Sequence, residues 1–163
     1  MTLLRAAAVV MLCLLLAACA GAPERPATLR QALFGLSERA SARLLEQPVW
    51  QRPTADIVLL LAEPEIEARL HIDGQRFSES FTRSLLAQPD SPQVLNWTPE
   101  MGETGMLDNQ WLLESQLVAD GPLLRLTDRE LLPYQLTVTL RRPGEPLVQW
   151  EAHLQGALDV TAL

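Results

Sequence analysis

Apolar residues recur at Leu29, Leu33, Leu36, Ala40 and Leu44, at spacings of four, three, four and four, which is the stripe of one helical face. Thr28 with Gln31 three positions on has the form of a capping box, and Pro48 stops the helix. After the turn-rich QPVWQRP, the run ADIVLLLAEP is short, continuously apolar and bounded by prolines. Its length and β-branched members predict a central strand covered on both faces.

Farther on, Ile66, Ala68, Leu70 and Ile72 alternate with polar residues, whereas Phe77, Phe81 and Leu85 repeat every four. The period therefore switches near Asp73 and Gly74, from an extended arm to a second helix that Pro89 and Pro92 end. QVLNW reads as another strand. The segment from Thr98 to Asn109 has no period and reads as a loop, and QWLLESQLV returns to strand. Tyr134, Leu136, Val138 and Leu140 alternate with Gln135, Thr137, Thr139 and Arg141. Beyond RPGEP, Val148, Trp150, Ala152 and Leu154 alternate with Gln149, Glu151, His153 and Gln155, which predicts a hairpin with one buried and one wet face. The expected fold is α+β: a two-layer sandwich with a mixed sheet of about five strands, two main helices and a C-terminal antiparallel hairpin.

The most apolar block lies before all of these elements, from Ala6 to Ala20. At about fifteen residues it is short of the roughly twenty that a spanning helix needs. One Arg before it, a Leu-rich middle and LAAC at its end give the order of a bacterial secretory signal. LAAC resembles a lipobox, in which Leu16, Ala17 and Ala18 are read by the signal peptidase and Cys19 becomes the lipidated first residue. An ordinary signal with a chance cysteine, or a buried helix, is the plain alternative. The expected organisation is a lipoprotein signal over 1–18, a lipidated N-terminus and short tether over 19–27, and one periplasmic domain over 28–163. Several acyl chains would hold such a protein stably. Ala20 stands where Asp would mark inner-membrane retention, so the expected address is the outer membrane, facing the periplasm.

Charge narrows the partners. All 13 basic residues are Arg, against 20 acids, and no basic stripe with interleaved aromatics occurs, so nucleic acid is excluded as a partner and anionic surfaces are disfavoured. Cys13 leaves with the signal and Cys19 is blocked by lipid, so no disulfide is expected. No HExxH, CxxC, GxSxG or glycine-rich phosphate loop is present, and neither a catalytic residue nor a small-molecule cofactor is implied. His71 and His153 could form a metal pair but read more simply as exposed strand residues, so no metal is assigned. Glu63, Glu65 and Glu67 could suggest paired carboxylates, but on an extended arm they form a solvated edge that discourages sheet-to-sheet pairing. Trp is favoured at interfaces. Trp97 and Trp111 bracket the polar loop, with Met101 and Met106 between them, and make a candidate partner contact, or else simply close the end of the sandwich. Trp150 falls on the buried face of the hairpin, and Trp50 could cover the end of the first helix.

A lipobox, an amphipathic helix, ADIVLLLAEP, IDGQRFSESFTRSLL, QVLNW and a hairpin closing on GEPLVQWEAHLQG together resemble the periplasmic domain of LpoB-type activators of penicillin-binding proteins. The fold is also similar to the N-terminal domain of TolB and to part of CsgG. The resemblance implies a non-enzymatic, outer-membrane-anchored domain that binds an envelope protein, in that family a peptidoglycan synthase. Two departures stand out: the tether AGAPERPA, reaching at most about 30 Å, replaces a long Pro-rich linker, and TPEMGETGMLDN replaces helices between the third and fourth strands. A subunit that packs on copies of itself is the alternative of a different class, and an envelope hydrolase without a known motif is a further one.

Overall fold

The computed structural model describes residues 29–103 and 107–162. The signal, LAAC, the tether, Thr28 of the expected capping box and Met106 lie outside these residues. Two helices, α1 (Leu29–Glu46) and α2 (Gly74–Leu86), cover one face of a mixed seven-stranded sheet. The strands are β1 (Val58–Leu61), β2 (Glu65–Ile66), β3 (Gln93–Asn96), β4 (Gln110–Ala119), β5 (Leu124–Arg125), β6 (Glu130–Arg141) and β7 (Val148–Asp159). β1 runs parallel to both β3 and β4, and β2 also pairs with β4. β4, β6 and β7 are successively antiparallel, and β5 pairs with the start of β6. Since β2 and β5 are two-residue pieces, the five longer strands form the sheet the sequence led one to expect.

α1 buries Leu33, Leu36, Ala40 and Leu44, the stripe read from the sequence, together with Ser37 and Ser41. The small serines let α2 approach closely, and the buried hydroxyls of Ser41 and Ser84 meet at 2.6 Å between the helices. Asp73 caps α2, its Oδ1 accepting from the Arg76 amide at 2.9 Å. α2 buries Phe77, Phe81 and Leu85, which complete a core with Leu59, Leu61, Leu113, Leu117, Leu136, Val138 and Leu140 from the sheet.

The arm before α2 departs from expectation. Only Glu65 and Ile66 pair as strand; Ala68–Leu70 coil into a 3-10 turn, and His71 stands at φ 50° in the left-handed region, where His is tolerated more than most side chains. Leu70 and Ile72 are both buried by this turn, so the apparent alternation marks two inward anchors and not a strand.

The hairpin corrects a second point. A register shift between Leu140 and Arg141 places Trp150 opposite inward-facing Leu140 but Val148 opposite outward-facing Arg141. Val148 is therefore exposed, although strict alternation put it on the buried face. Trp150 is only partly buried at the edge of the core, whereas Trp111, on β4 between β1 and β6, is 2% exposed. Position within the sheet decides this: β4 has strands on both sides and Trp111 is covered further by Trp50 and Arg142, whereas among the described residues β7 has a strand on one side only.

Candidate functional site

β1 is buried on both faces, so something other than the helices must cover its second face. Val58 and Leu60 of β1 and Leu112 of β4 form a separate buried cluster there, with Ala62, Trp97 and Met101 packed on it. Strand register builds the patch: Leu60 pairs with Leu95 on one side and with Leu112 on the other, so three leucines form one row across three strands. Leu95, at the edge strand, is 49% exposed. Trp97 is positioned by its own amide, which donates to the Leu61 carbonyl at 2.7 Å and prolongs the pairing of β3 with β1. Met101 lies in the short turn Pro99–Glu103, its amide donating to Thr98 O at 3.0 Å. Glu100 is held below its ordinary pKa by hydrogen bonds from its own backbone amide and from the Thr98 side chain, and this fastens the turn.

Toward β6 the apolar row ends in charge. Arg141, paired in register with Leu112, donates from Nε and Nη2 to the two carboxylate oxygens of Glu114 at 2.9 and 2.7 Å. This fork holds the guanidinium above its already high pKa. Beyond it the outer face is polar: Thr137 meets His153 Nδ1 at 3.1 Å, and Glu151 lies 3.4 Å from His153 Nε2. The arrangement is a bounded apolar surface beside a polar sheet face.

Trp111 does not share this patch. It points to the helix side, against Trp50 at 6.1 Å between ring centroids, and the Arg142 guanidinium stacks 3.8 Å above its ring. Arg142 also donates to the carbonyls of Asp108 and Gln110, at 2.6 and 3.0 Å, and Arg52 pairs with the Asp108 carboxylate. The end of the 98–109 segment is thereby tied to the β6–β7 turn and to the segment after α1. Of the four residues proposed from the sequence as a contact, Trp97 and Met101 lie together, Trp111 is core, and Met106 is outside the described residues.

No protein-family model matches the chain, and no curated protein sequence matches it. Among solved structures it is similar to the C-terminal domain of LpoB from Escherichia coli, with 13% identity and a TM-score of 0.46, covering 78% of this chain and 98% of that one. It is also similar to protein XCC0632 of Xanthomonas campestris, a DUF330 protein, at 13% identity and 0.45, with 71% and 76% covered. Lipoprotein GNA1162 of Neisseria meningitidis matches at 5% identity and 0.41, with 64% and 85% covered. These are likenesses of chain path at low identity, and they place the chain in none of those families.

The acidic and histidine candidates are dispersed. Glu67 accepts from the Ala119 amide at 2.8 Å and pairs with Arg69, which together hold its carboxyl below the ordinary value; Glu65 accepts from Gln116 Nε2 at 3.1 Å. Both brace the arm against β4. His71 is in the loop before α2 and His153 on β7, and among the described residues no group of three His, Cys, Asp or Glu side chains could hold a metal. Among the same residues no helix is long and apolar enough to cross a membrane. The leucine row was not identified from the sequence, although the all-apolar run VLLL already implied cover on a second face.

Proposed function

We propose that this protein is a lipid-anchored envelope protein, held through Cys19 in the outer membrane, whose domain binds another envelope protein through the face carrying Leu95, Trp97 and Met101. The observation that carries the reading is the apolar row Leu95–Leu60–Leu112, roofed only in part by Trp97 and Met101 and bordered by the Glu114–Arg141 pair. Aromatic and methionine side chains over an apolar floor, with a polar rim, are the composition of a contact surface. The resemblance read in the sequence makes a peptidoglycan synthase one partner to try, but a tether of at most about 30 Å keeps the domain close to its own membrane and argues against contact with a synthase in the inner membrane.

A photo-crosslinking residue at position 101 tests this in intact cells, against one at Thr137 on the polar part of the same face. A discrete heavier adduct from position 101 alone supports the reading, whereas equal labelling at both or neither contradicts it. Cys19→Ala tests the anchor separately, by loss of the protein from the membrane fraction. The alternative, a subunit that packs on its own copies, is favoured by one feature: among the described residues β7 pairs with β6 alone, so no described strand pairs with the outer edge of this twelve-residue strand.

A further inference from the structure

The charge of this chain is divided between its two layers. α1 and α2 carry five Arg and three Glu, while the residues from 47 onward outside α2 carry six Arg and sixteen Asp or Glu. Five of those six are engaged: Arg52 with Asp108, Arg69 with Glu67, Arg125 with Glu130, Arg141 with Glu114, and Arg142 with two carbonyls and Trp111; Arg129 lies 3.9 Å from the neighbouring Asp128, its Nε buried without a hydrogen-bond partner. On the helices, Arg43 pairs with Glu46 and Arg39 donates to the Tyr134 hydroxyl at 2.6 Å. Arg30, Arg76 and Arg83 have no side-chain partner among the described residues, and these three line one cleft between α1 and α2. Glu79, the one acid lining the cleft, accepts from Gln75 Nε2 at 3.1 Å.

We infer that this cleft binds the phosphate headgroups of an anionic lipid surface. Three exposed guanidiniums converging from two helices offer forked donors matched to phosphate oxygens, a geometry that Lys would not supply. Glu114 and Glu151 lie on the outer face of the sheet, across both layers of the sandwich from the cleft, while Asp73, the acid beside Arg76 in sequence, is occupied in capping α2. The Debye length is about 8 Å at physiological ionic strength, so that face does not cancel the cleft's field. Chain length supports the choice of a membrane: Arg30 is the second residue of α1, and only nine residues separate Cys19 from Leu29. If the anchor reading holds, this tether delivers the cleft to the headgroups at high effective concentration. The overall acidity that disfavours anionic surfaces is thus reversed locally.

The test removes the anchor, so that its outcome is independent of Cys19. The chain from Ala20 carries every described core residue and no acyl chain. It is sedimented with millimolar vesicles of phosphatidylglycerol in phosphatidylcholine, and with vesicles of phosphatidylcholine alone. Binding is expected only to the first, falling about fivefold for each of Arg30→Gln, Arg76→Gln and Arg83→Gln made singly. The triple variant should match phosphatidylcholine alone, and Arg43→Gln should leave binding unchanged. Thermal midpoints, measured alongside, should not move. Equal binding to both vesicles, or binding indifferent to the three substitutions, overturns the assignment. So does an arginine-dependent rise in thermal midpoint with inorganic phosphate when vesicles are not bound, an outcome that reassigns the cleft to a soluble phosphate.

Discussion

Replacing Gly156 by Ala adds one methyl group, and the structure says where it goes. Gly156 on β7 lies directly opposite Tyr134 on β6, and a Cβ at 156 would stand 2.7 Å from the ring Cζ and 3.0 Å from Cε1. The ring cannot simply swing aside, because Tyr134 is 3% exposed and its hydroxyl accepts from Arg39 at 2.6 Å. Glycine here is a floor on which a cross-strand tyrosine lies, an arrangement that also offsets the weakness of glycine in a strand. Overpacking a buried site costs about 1–3 kcal/mol, and displacing the hydroxyl from Arg39 adds about 1 kcal/mol. Against this, Ala is intrinsically better than Gly in a strand by roughly 0.5–1 kcal/mol. The steric effect wins, and Gly156→Ala should destabilise the domain by about 2 kcal/mol, or roughly 8 °C in Tm. In a Tyr134→Val background the ring is gone, only the intrinsic preference remains, and the same substitution should stabilise by about 0.5 kcal/mol. Urea and thermal unfolding of the four chains of this double-mutant cycle measure both values. If Gly156→Ala is neutral with Tyr134 present, or has the same sign and size in both backgrounds, the reasoning is refuted.

The tryptophans should separate by location: Trp111→Ala, emptying a fully buried site beneath Arg142, should cost about 3–5 kcal/mol in urea unfolding. Trp97→Ala, at a half-covered site, should cost about 1 kcal/mol and Trp150→Ala a value between the two. Glu67 has its folded pKa below the ordinary 4.5, through Arg69 and the Ala119 amide, so its contribution to stability is complete above that value and is lost as pH falls through the lower folded value. The difference in Tm between wild type and Glu67→Gln should therefore be constant above pH 4.5 and shrink below it; a difference that persists into strong acid would contradict the assignment. Asp73→Ala, removing the cap from α2, should lower stability by about 1 kcal/mol in the same assay.

Periodicity made the helices and the long strands legible, because one buried face of α1, α2 or β6 repeats at the period of its own geometry. It was blind to relations between elements. Nothing in the spacing of Trp111 and Trp150 says that one lies on an interior strand and the other at the edge, so Trp111, read as a contact or as closing the end of the sandwich, is core, and Trp150, read as core, packs on it only in part. The bulge that turns Val148 outward is likewise a property of the β6–β7 pair and not of either strand. The leucine row depends on parallel register among β3, β1 and β4, and the arginine cleft on the start of α1 meeting the length of α2 across the segment 47–73 that separates them. What the sequence did carry was the demand: an all-apolar β1 requires cover twice, and the structure supplies the second cover from Trp97 and Met101.

The claim that the Leu95–Trp97 face holds an envelope partner is tested most directly by the native mass of the protein extracted from envelopes in mild detergent. Wild type is compared with the double variant Leu95→Asp, Trp97→Asp, and the folding of each is checked by thermal unfolding. The account predicts that wild type carries the mass of one heterologous complex and that the folded variant carries its own mass alone. A wild type found at its own mass or at integer multiples of it, or a folded variant that stays in the same complex, would contradict the account.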